Sequence, residues 1–331
     1  MRAAWYDRNG AAREVIEVGA LPDPVPGPGE VRVAIAASGC NPSDVKRRMG
    51  SRGQSMAYPR IIPHSDGAGR IDAVGNGVDK KRIGERVWLW NAQWNRPYGT
   101  CAEACCVPEE MACKLPDAIP YAAGACLGIP AMTAHRSVFC RGPVSGKTIL
   151  VTGAAGAVAH YAVQIARWGG ARVIATVSSD EKARIAHEAG AAEIVNYRTE
   201  NVVERVRDLT GGAGVDHIVE VDFGANIHTT VQVLKSNGTI AAYASSAAPE
   251  PTLPYYPLMM NGVGIDLVFV YILPDAARAH ALDDLATMLR ENRLQHRIGA
   301  HYPLGDTALA HEAQETGKVV GNIVIDVQAM S

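Results

Sequence analysis

The stretch VTGAAGAVAHYAVQIA, residues 151–166, joins an apolar strand to a helix through small residues. A turn of that kind lets the main chain approach a pyrophosphate, while the N–H groups that open the helix face its charge. Gly153, Ala154, Ala155, Gly156, Ala157 and Ala159 supply the room. Ala159 stands where a third glycine is usual, and that position need only permit close packing of helix on strand. Glycine spacing alone is weak evidence, but this turn lies at the first strand of a run of strand–helix units, where a dinucleotide site must lie to work. The next strand ends in TVSSDEK. An Asp or Glu at that end would bind a ribose 2′-hydroxyl and repel a 2′-phosphate. Ser178 occupies the end itself, Asp180 and Glu181 fall into the following turn, and Lys182 can reach a phosphate as a point charge. The expected cofactor is NADPH; the competing reading makes Asp180 a helix cap and leaves Lys182 in water.

Metal chemistry is the second possibility. The seven cysteines are Cys40, Cys101, Cys105, Cys106, Cys113, Cys126 and Cys140, an odd number in a chain whose N-terminus lacks the apolar core of an export signal. Free thiols are expected. Cys101, Cys105, Cys106 and Cys113 are irregularly spaced on strand and loop, unlike the ligands of a structural zinc.

The elements that must position these residues follow from the pattern. At 331 residues, 47% hydrophobic and 20% charged, with a formal net charge of −2, the chain suits two globular domains and offers no basic surplus for nucleic acid or anionic lipid. No apolar run is long enough to span a membrane, so a cytoplasmic protein is expected. The first 120 or so residues carry short alternating runs (EVRVAIAAS, GRIDAVG, ERVWLW) among Gly and Pro, which predict a β-rich unit. From Lys147 apolar strands alternate with helical stretches, which predicts a doubly wound parallel sheet. GTIAAYAS and GIDLVFVYIL are the expected fifth and sixth strands, a helix is expected near Pro274 to Glu291, and the tail reads strand, helix, strand.

In its order of motifs the chain resembles the zinc-free medium-chain reductases of the zeta-crystallin or NADPH:quinone oxidoreductase family. The resemblance rests on GEVRVAIAASGCNPSDVKRRMG, IIPHSDGAGRIDAVGNGV, YGTCAEACCVP, LGIPAMTAHRSV and AGAAEIVNYR, together with the cofactor turn, and spans nearly the whole length. It implies a GroES-like catalytic domain from residues 1–122 and 293–331, a Rossmann coenzyme domain from 123–292, and a cleft at their junction. By resemblance Asn41 and Thr133 lie near the nicotinamide, Ala155, Gly156, Ala157 and Val158 follow the pyrophosphate, and Ser178, Lys182 and Tyr197 surround the 2′-phosphate. Asn226, Ala244, Ser245, Phe269, Val270 and Asn322 match further cofactor-lining segments. Lys46 replaces a tyrosine frequent in the family, as a possible contact to an anionic substrate or proton donor; the alternative is a solvated Lys46, Arg47, Arg48 helix face. Tyr58, His64 and Asp44 are the other candidate proton carriers, each with a packing or capping alternative.

The zinc-dependent alcohol dehydrogenases are the nearest rival. Their cysteine, histidine and third ligand fall here at Asn41, Ser65 and Ile129, with Cys40 and His64 each displaced by one, so no catalytic metal is expected. Without a Lewis acid the acceptor must be electron-poor. A quinone is expected, an activated alkene of enone or 2-haloacrylate type is the alternative, and an NADPH-binding crystallin-like protein with little turnover is a third reading. Trp88, Trp90 and Trp94 are either an aromatic acceptor wall or core. The apolar sixth strand would leave a bare sheet edge, which predicts a homodimer.

Overall fold

The computed structural model describes residues 1–53 and 55–328. In chain order the elements begin with β1 (Arg2–Trp5), α1 (Ala12–Val15), β2 (Glu17–Ala20), β3 (Glu30–Cys40), α2 (Pro42–Arg48), β4 (Asp66–Val74) and β5 (Arg86–Leu89). Next come β6 (Ala104–Pro108), β7 (Ala112–Lys114), α3 (Tyr121–Gly124), α4 (Met132–Phe139), β8 (Thr148–Val151), α5 (Ala157–Trp168) and β9 (Arg172–Val177). They continue with α6 (Asp180–Glu188), β10 (Glu193–Asn196), α7 (Val202–Leu209), β11 (Val215–Glu220), α8 (Phe223–Val233) and β12 (Leu234–Ala242). The last are α9 (Tyr255–Met260), β13 (Gly264–Leu267), α10 (Asp275–Arg290), β14 (Ile298–Pro303), α11 (Thr307–Thr316) and β15 (Asn322–Asp326).

Two compact units result. The first comprises Met1–Ile129, Leu282–Asn292 and the residues from His296 onward; the second comprises Pro130–Ala281 and Arg293–Gln295. The sequence places the boundaries at 122/123 and 292/293. The difference lies mainly in α10, whose later turns group with the first unit and carry Leu285, Met288 and Leu289, all buried.

In the first unit, EVRVAIAASGC alternates half-buried and buried residues along β3, as expected of a strand with one face on the core. β3 pairs with β4, β6 and β15, all antiparallel, in a sheet ordered β14-β15-β3-β4-β5-β7. Val31, Val33 and Ile35 from β3 join Val87, Leu89, Cys101 and Val107 in its core.

In the second unit the inner strands are mostly buried and read as near-continuous apolar runs, such as TILV and RVIATV. The order β10-β9-β8-β11-β12-β13, all parallel, is the 3-2-1-4-5-6 order of the doubly wound dinucleotide fold. α5 packs on this sheet with every residue from Ala159 to Ala166 buried. The sixth strand is shorter than the sequence predicts: pairing ends at Leu267, and Val270–Ile272 form a 3₁₀ turn. Among the described residues no helix is long and apolar enough to cross a membrane.

Candidate active site

Ligands of doubly wound sheets bind outside the carboxyl ends of the strands, and most of the expected cofactor residues lie there. β8 runs into the turn that ends at Gly156, the N-cap of α5. Gly153 holds φ at +62°, a left-handed conformation, and a Cβ there would meet Val221 Cγ1 at 3.0 Å. The turn is braced from below: the Ala154 N–H donates to Thr176 O at 3.0 Å and the Gly153 N–H to Thr176 Oγ1 at 3.2 Å. Ala155 is buried, while Ala157 and Val158 open α5, where the first N–H groups have no intrahelical acceptor. An anion at that end gains both those donors and the helix dipole.

At the end of β9 the fold brings Ser178, Lys182 and Tyr197 together. Lys182 Nζ donates to Ser178 Oγ at 3.0 Å, and the Tyr197 N–H donates to Val177 O at 3.0 Å, which fixes Tyr197 beside the same strand end. The Tyr197 side chain is exposed. The cap of α6 is Ser179, whose hydroxyl accepts from Lys182 N, and not Asp180, which lies exposed in the first turn. No carboxylate therefore occupies the strand end itself.

The neighbouring strands supply a buried carboxylate that sequence reasoning missed. Glu220, at the end of β11, accepts from Thr152 Oγ1 at 3.0 Å, Asp222 N at 2.7 Å and Asn226 Nδ2 at 2.8 Å, all on one oxygen; Oε2 has no partner among the described residues. Burial holds its carboxyl above the usual range. The Asn226 amide is thus committed to Glu220. Ala244 accepts from Phe223 N at 2.9 Å, and Ser245 Oγ accepts from Gly224 N at 3.0 Å, so both fasten α8. Phe269 is exposed and Val270 buried beyond β13. Thr133 is buried on α4, where its carbonyl accepts from Ser137 Oγ at 2.8 Å.

In the first unit Asn41 caps α2, and Asp44 Oδ2 accepts its N–H at 2.8 Å. The Asn41 side chain is held by a second residue missed from sequence, Asp66. Asn41 Nδ2 donates to Asp66 Oδ2 at 2.8 Å, and the Ile129 N–H donates to Asp66 Oδ1 at 2.8 Å. Gly128 is required for this approach, since a Cβ there would lie 2.3 Å from Asp66 Oδ1. The signal was present as a carboxylate inside the small-residue strand SDGAG, where a buried charge needs partners. Burial, with the charge of Asp44 adding, lifts Asp66 well above the usual carboxylate range. Burial pushes Asp44 to about 7, against the amides of Asn41 and His64 and the charge of Arg47.

Positions 41, 65 and 129 converge on Asp66 and its neighbour, yet they carry an amide, a hydroxyl and an alkyl group. None is a zinc ligand, so the catalytic metal of the zinc-dependent relatives does not fit these residues. Among the described residues Cys101, Cys105, Cys106 and Cys113 form no joint ligand group.

Beside α2 a cavity of about 420 Å³ is lined by Arg47, Met56, Tyr58, Ile61, Gln93 and Trp94, among others. The Arg47 guanidinium lies 5.1 Å from the centre of the Trp94 ring. Tyr58 donates its hydroxyl proton to Asn95 O at 2.6 Å. Lys46 is exposed at the last turn of α2 and does not line this cavity; the cation that does is Arg47, next along the helix. Trp88 and Trp90 are core. Asn322 is tied to Arg297, its Nδ2 donating to the carbonyl at 2.9 Å, which makes it a strand anchor at the start of β15.

A doubly wound unit with a small-residue turn at its first strand, together with a β-rich unit that fastens an asparagine, defines a medium-chain oxidoreductase. Family models agree: residues 27–117 match the alcohol dehydrogenase GroES-like domain and residues 157–287 the zinc-binding dehydrogenase domain. A quinone oxidoreductase of Pseudomonas aeruginosa is 30% identical over 94% of this chain and 95% of its own length. A 2-haloacrylate reductase of a Burkholderia species is 29% identical over 92% of each chain. Among solved structures, an NAD-dependent alcohol dehydrogenase (29% identity) superposes with a TM-score of 0.90 over 99% of this chain and 100% of that one. A mycobacterial protein complexed with NADPH (28% identity) gives 0.86 over the same shares. The chain belongs to the zeta-crystallin-like quinone oxidoreductase family of medium-chain dehydrogenases and reductases.

Proposed function

We propose that this protein is an NADPH-dependent quinone oxidoreductase that needs no metal at its Asn41 site. The observation that carries the reading is the Ser178, Lys182 and Tyr197 group, which offers one cation and two hydroxyls, with no strand-end carboxylate, to a 2′-phosphate. NADPH, when bound, supplies a hydride from its nicotinamide. Ala157 and Val158 receive the pyrophosphate charge on their amides, and Gly153 lets the chain approach it. Asn41, locked by Asp66, is the polar group assigned to the reacting molecules in the first unit. Because positions 41, 65 and 129 provide no Lewis acid, the acceptor must be electron-poor already, as a quinone is. Catalysis then consists mainly of holding donor and acceptor in contact, an effect worth up to about 7–11 kcal/mol. Trp94 and Tyr58 form an aromatic wall for a planar acceptor, and since the Tyr58 proton is engaged, water supplies the proton to the reduced product.

Arg47 in the cavity wall favours a second reading, an activated alkene bearing a carboxylate, in line with the 2-haloacrylate reductase relative. Coenzyme oxidation should be followed with a panel of quinones, enones and 2-haloacrylates, using NADPH and NADH in parallel, with and without a chelator. Faster turnover of quinones with NADPH, unaffected by chelation, is expected. A strong NADH preference, or activity lost to the chelator and restored by Zn²⁺, overturns the reading; tight NADPH binding with no acceptor at all would favour the crystallin-like alternative. We further propose that the β13 edge, where Leu267 is 76% exposed and Ile272 of the following turn 67% exposed, pairs with a second copy. A monomer by light scattering at micromolar concentration would exclude it.

A further inference from the structure

Positions 41 and 65 carry no metal ligand, yet the residues one step earlier, Cys40 and His64, meet His311 of α11 in the interior of the same unit. In the extended backbone at the end of β3 consecutive residues point to opposite faces, which turns the Cys40 side chain away from that of Asn41. The donor atoms of the three residues all lie within 4.8 Å of one another, and the residues are 3%, 0% and 0% exposed. His64 Nε2 is 3.0 Å from His311 Nε2.

The surrounding hydrogen bonds decide which nitrogen of His64 is bare. The Thr100 hydroxyl donates to Asp66 O. Ser38 Oγ lies 2.7 Å from Thr100 Oγ1, so the single Ser38 proton goes to Thr100. Ser38 Oγ, 2.9 Å from His64 Nδ1, must then accept from it. His64 therefore carries its proton on Nδ1 and turns the Nε2 lone pair toward His311. Burial keeps both imidazoles neutral. Among the described residues the buried His311 Nδ1 has no partner, and His64 is held at φ 78°, uncommon outside glycine. A left-handed histidine at a fully buried position costs conformational energy, and here that conformation accompanies two imidazole nitrogens only 3.0 Å apart.

We propose that Cys40, His64 and His311 form a site for a thiophilic d¹⁰ cation, Cu⁺ ahead of Zn²⁺, separate from the Asn41 site. One soft sulfur with two imidazoles suits either ion. Among the described residues no fourth Cys, His, Asp or Glu belongs to the group. Three donors satisfy Cu⁺, whereas Zn²⁺ calls for a fourth. One thiolate and two neutral imidazoles also cancel the single charge of Cu⁺, while Zn²⁺ would leave a net positive charge in the interior. On binding, the Cys40 thiol releases its proton to solvent as the metal–sulfur bond forms. The proton that His311 shares through Nε2 moves to its Nδ1, and nothing is oxidised or reduced. Ser38 is a positioning residue that fixes the His64 tautomer.

The full-length protein should be titrated anaerobically with Cu⁺ against a chromophoric Cu⁺ chelator, and with Zn²⁺ against a zinc indicator. X-ray absorption of protein loaded with one equivalent of Cu⁺ then reads the ligand shell. One tight Cu⁺ per chain, a shell of one sulfur and two imidazole nitrogens, and one proton released per ion are expected. Ser38→Ala should weaken binding about ten- to hundredfold, Cys40→Ala and His311→Gln should weaken it more, and Cys101→Ala should leave it unchanged. No stoichiometric Cu⁺ binding, a sulfur-only shell, full affinity in Cys40→Ala, or tighter binding of Zn²⁺ than of Cu⁺ overturns the proposal. The absorption experiment uses the unaltered chain and so decides even if a variant fails to fold.

Discussion

The two ends of the parallel sheet both carry basic side chains, and they differ in what those side chains already touch. At the amino-terminal edge a cavity of about 440 Å³ is lined by Arg141, Lys147 and Lys235 with Asp216, Asn237 and Gly262. Two of those cations are already neutralised: Arg141 Nε lies 2.6 Å from Asp266 Oδ2, and Lys235 Nζ lies 2.8 Å from Asp216 Oδ1. At the carboxyl edge Lys182 touches a hydroxyl, and helix starts aim their N–H groups outward. An anion arriving at the first cavity meets two cations that already have carboxylate partners; at the other end the Lys182 ammonium lies beside a hydroxyl. Volume and basic residues do not by themselves make an anion site, because what counts is whether the charge already has a partner.

The sharpest way to break the comparison is at the turn. Gly153→Val forces a β-branched residue to φ +62° and places its Cβ against Val221. The left-handed conformation alone costs about 1–2 kcal/mol, and the clash adds to it, so thermal unfolding should fall by several degrees and NADPH binding should be lost in calorimetric titration. A variant that binds NADPH normally would show that the turn does not receive the pyrophosphate.

A smaller effect is expected from Lys182→Met. A charged hydrogen bond contributes about 1.5–3 kcal/mol, so the KM for NADPH should rise roughly tenfold to hundredfold while the KM for NADH stays nearly constant. Equal losses for both coenzymes would remove Lys182 from the 2′-phosphate.

Lys235→Met is the companion at the other edge and should leave both KM values unchanged. Its effect is on stability: the pair with Asp216 is partly exposed and worth less than about 1 kcal/mol. Although burial opposes it, hydrogen bonds from Lys235 and Thr148 N hold Asp216 below its usual pKa. A depressed carboxylate stabilises the fold above the ordinary carboxylate pKa and loses that contribution as pH falls through the lowered one. Melting curves between neutral pH and pH 3 should therefore be shallower in acid for the variant than for the parent; parallel curves would show that the pair contributes nothing.

Much of this was legible in the chain because the signals are local. Strand–helix alternation, the small-residue turn and the Ser178 to Lys182 spacing all lie within a few residues, and the fold follows those periodicities. Other readings failed where tertiary packing overrode local pattern. GIDLVFVYIL is apolar enough for a long strand, but its neighbour β12 pairs with it only through Leu267. NPSDVKRRMG offers three cations on one helix, and only the packing of α2 shows that Arg47 lines the cavity, that Arg48 is buried in an ion pair with Glu315, and that Lys46 stays in solvent.

The sequence by itself determined the two-unit plan, the small-residue turn between strand and helix, and the absence of metal-ligand residue types at positions 41, 65 and 129, since residue type and short-range spacing suffice for each. Only the tertiary structure decided that Asp66 locks Asn41, that Glu220 lies beneath the turn, and that His311 joins His64 across 247 residues of chain. Those groupings depend on strand pairing and helix docking, which bring distant residues into one low-dielectric space where every polar group must find a partner.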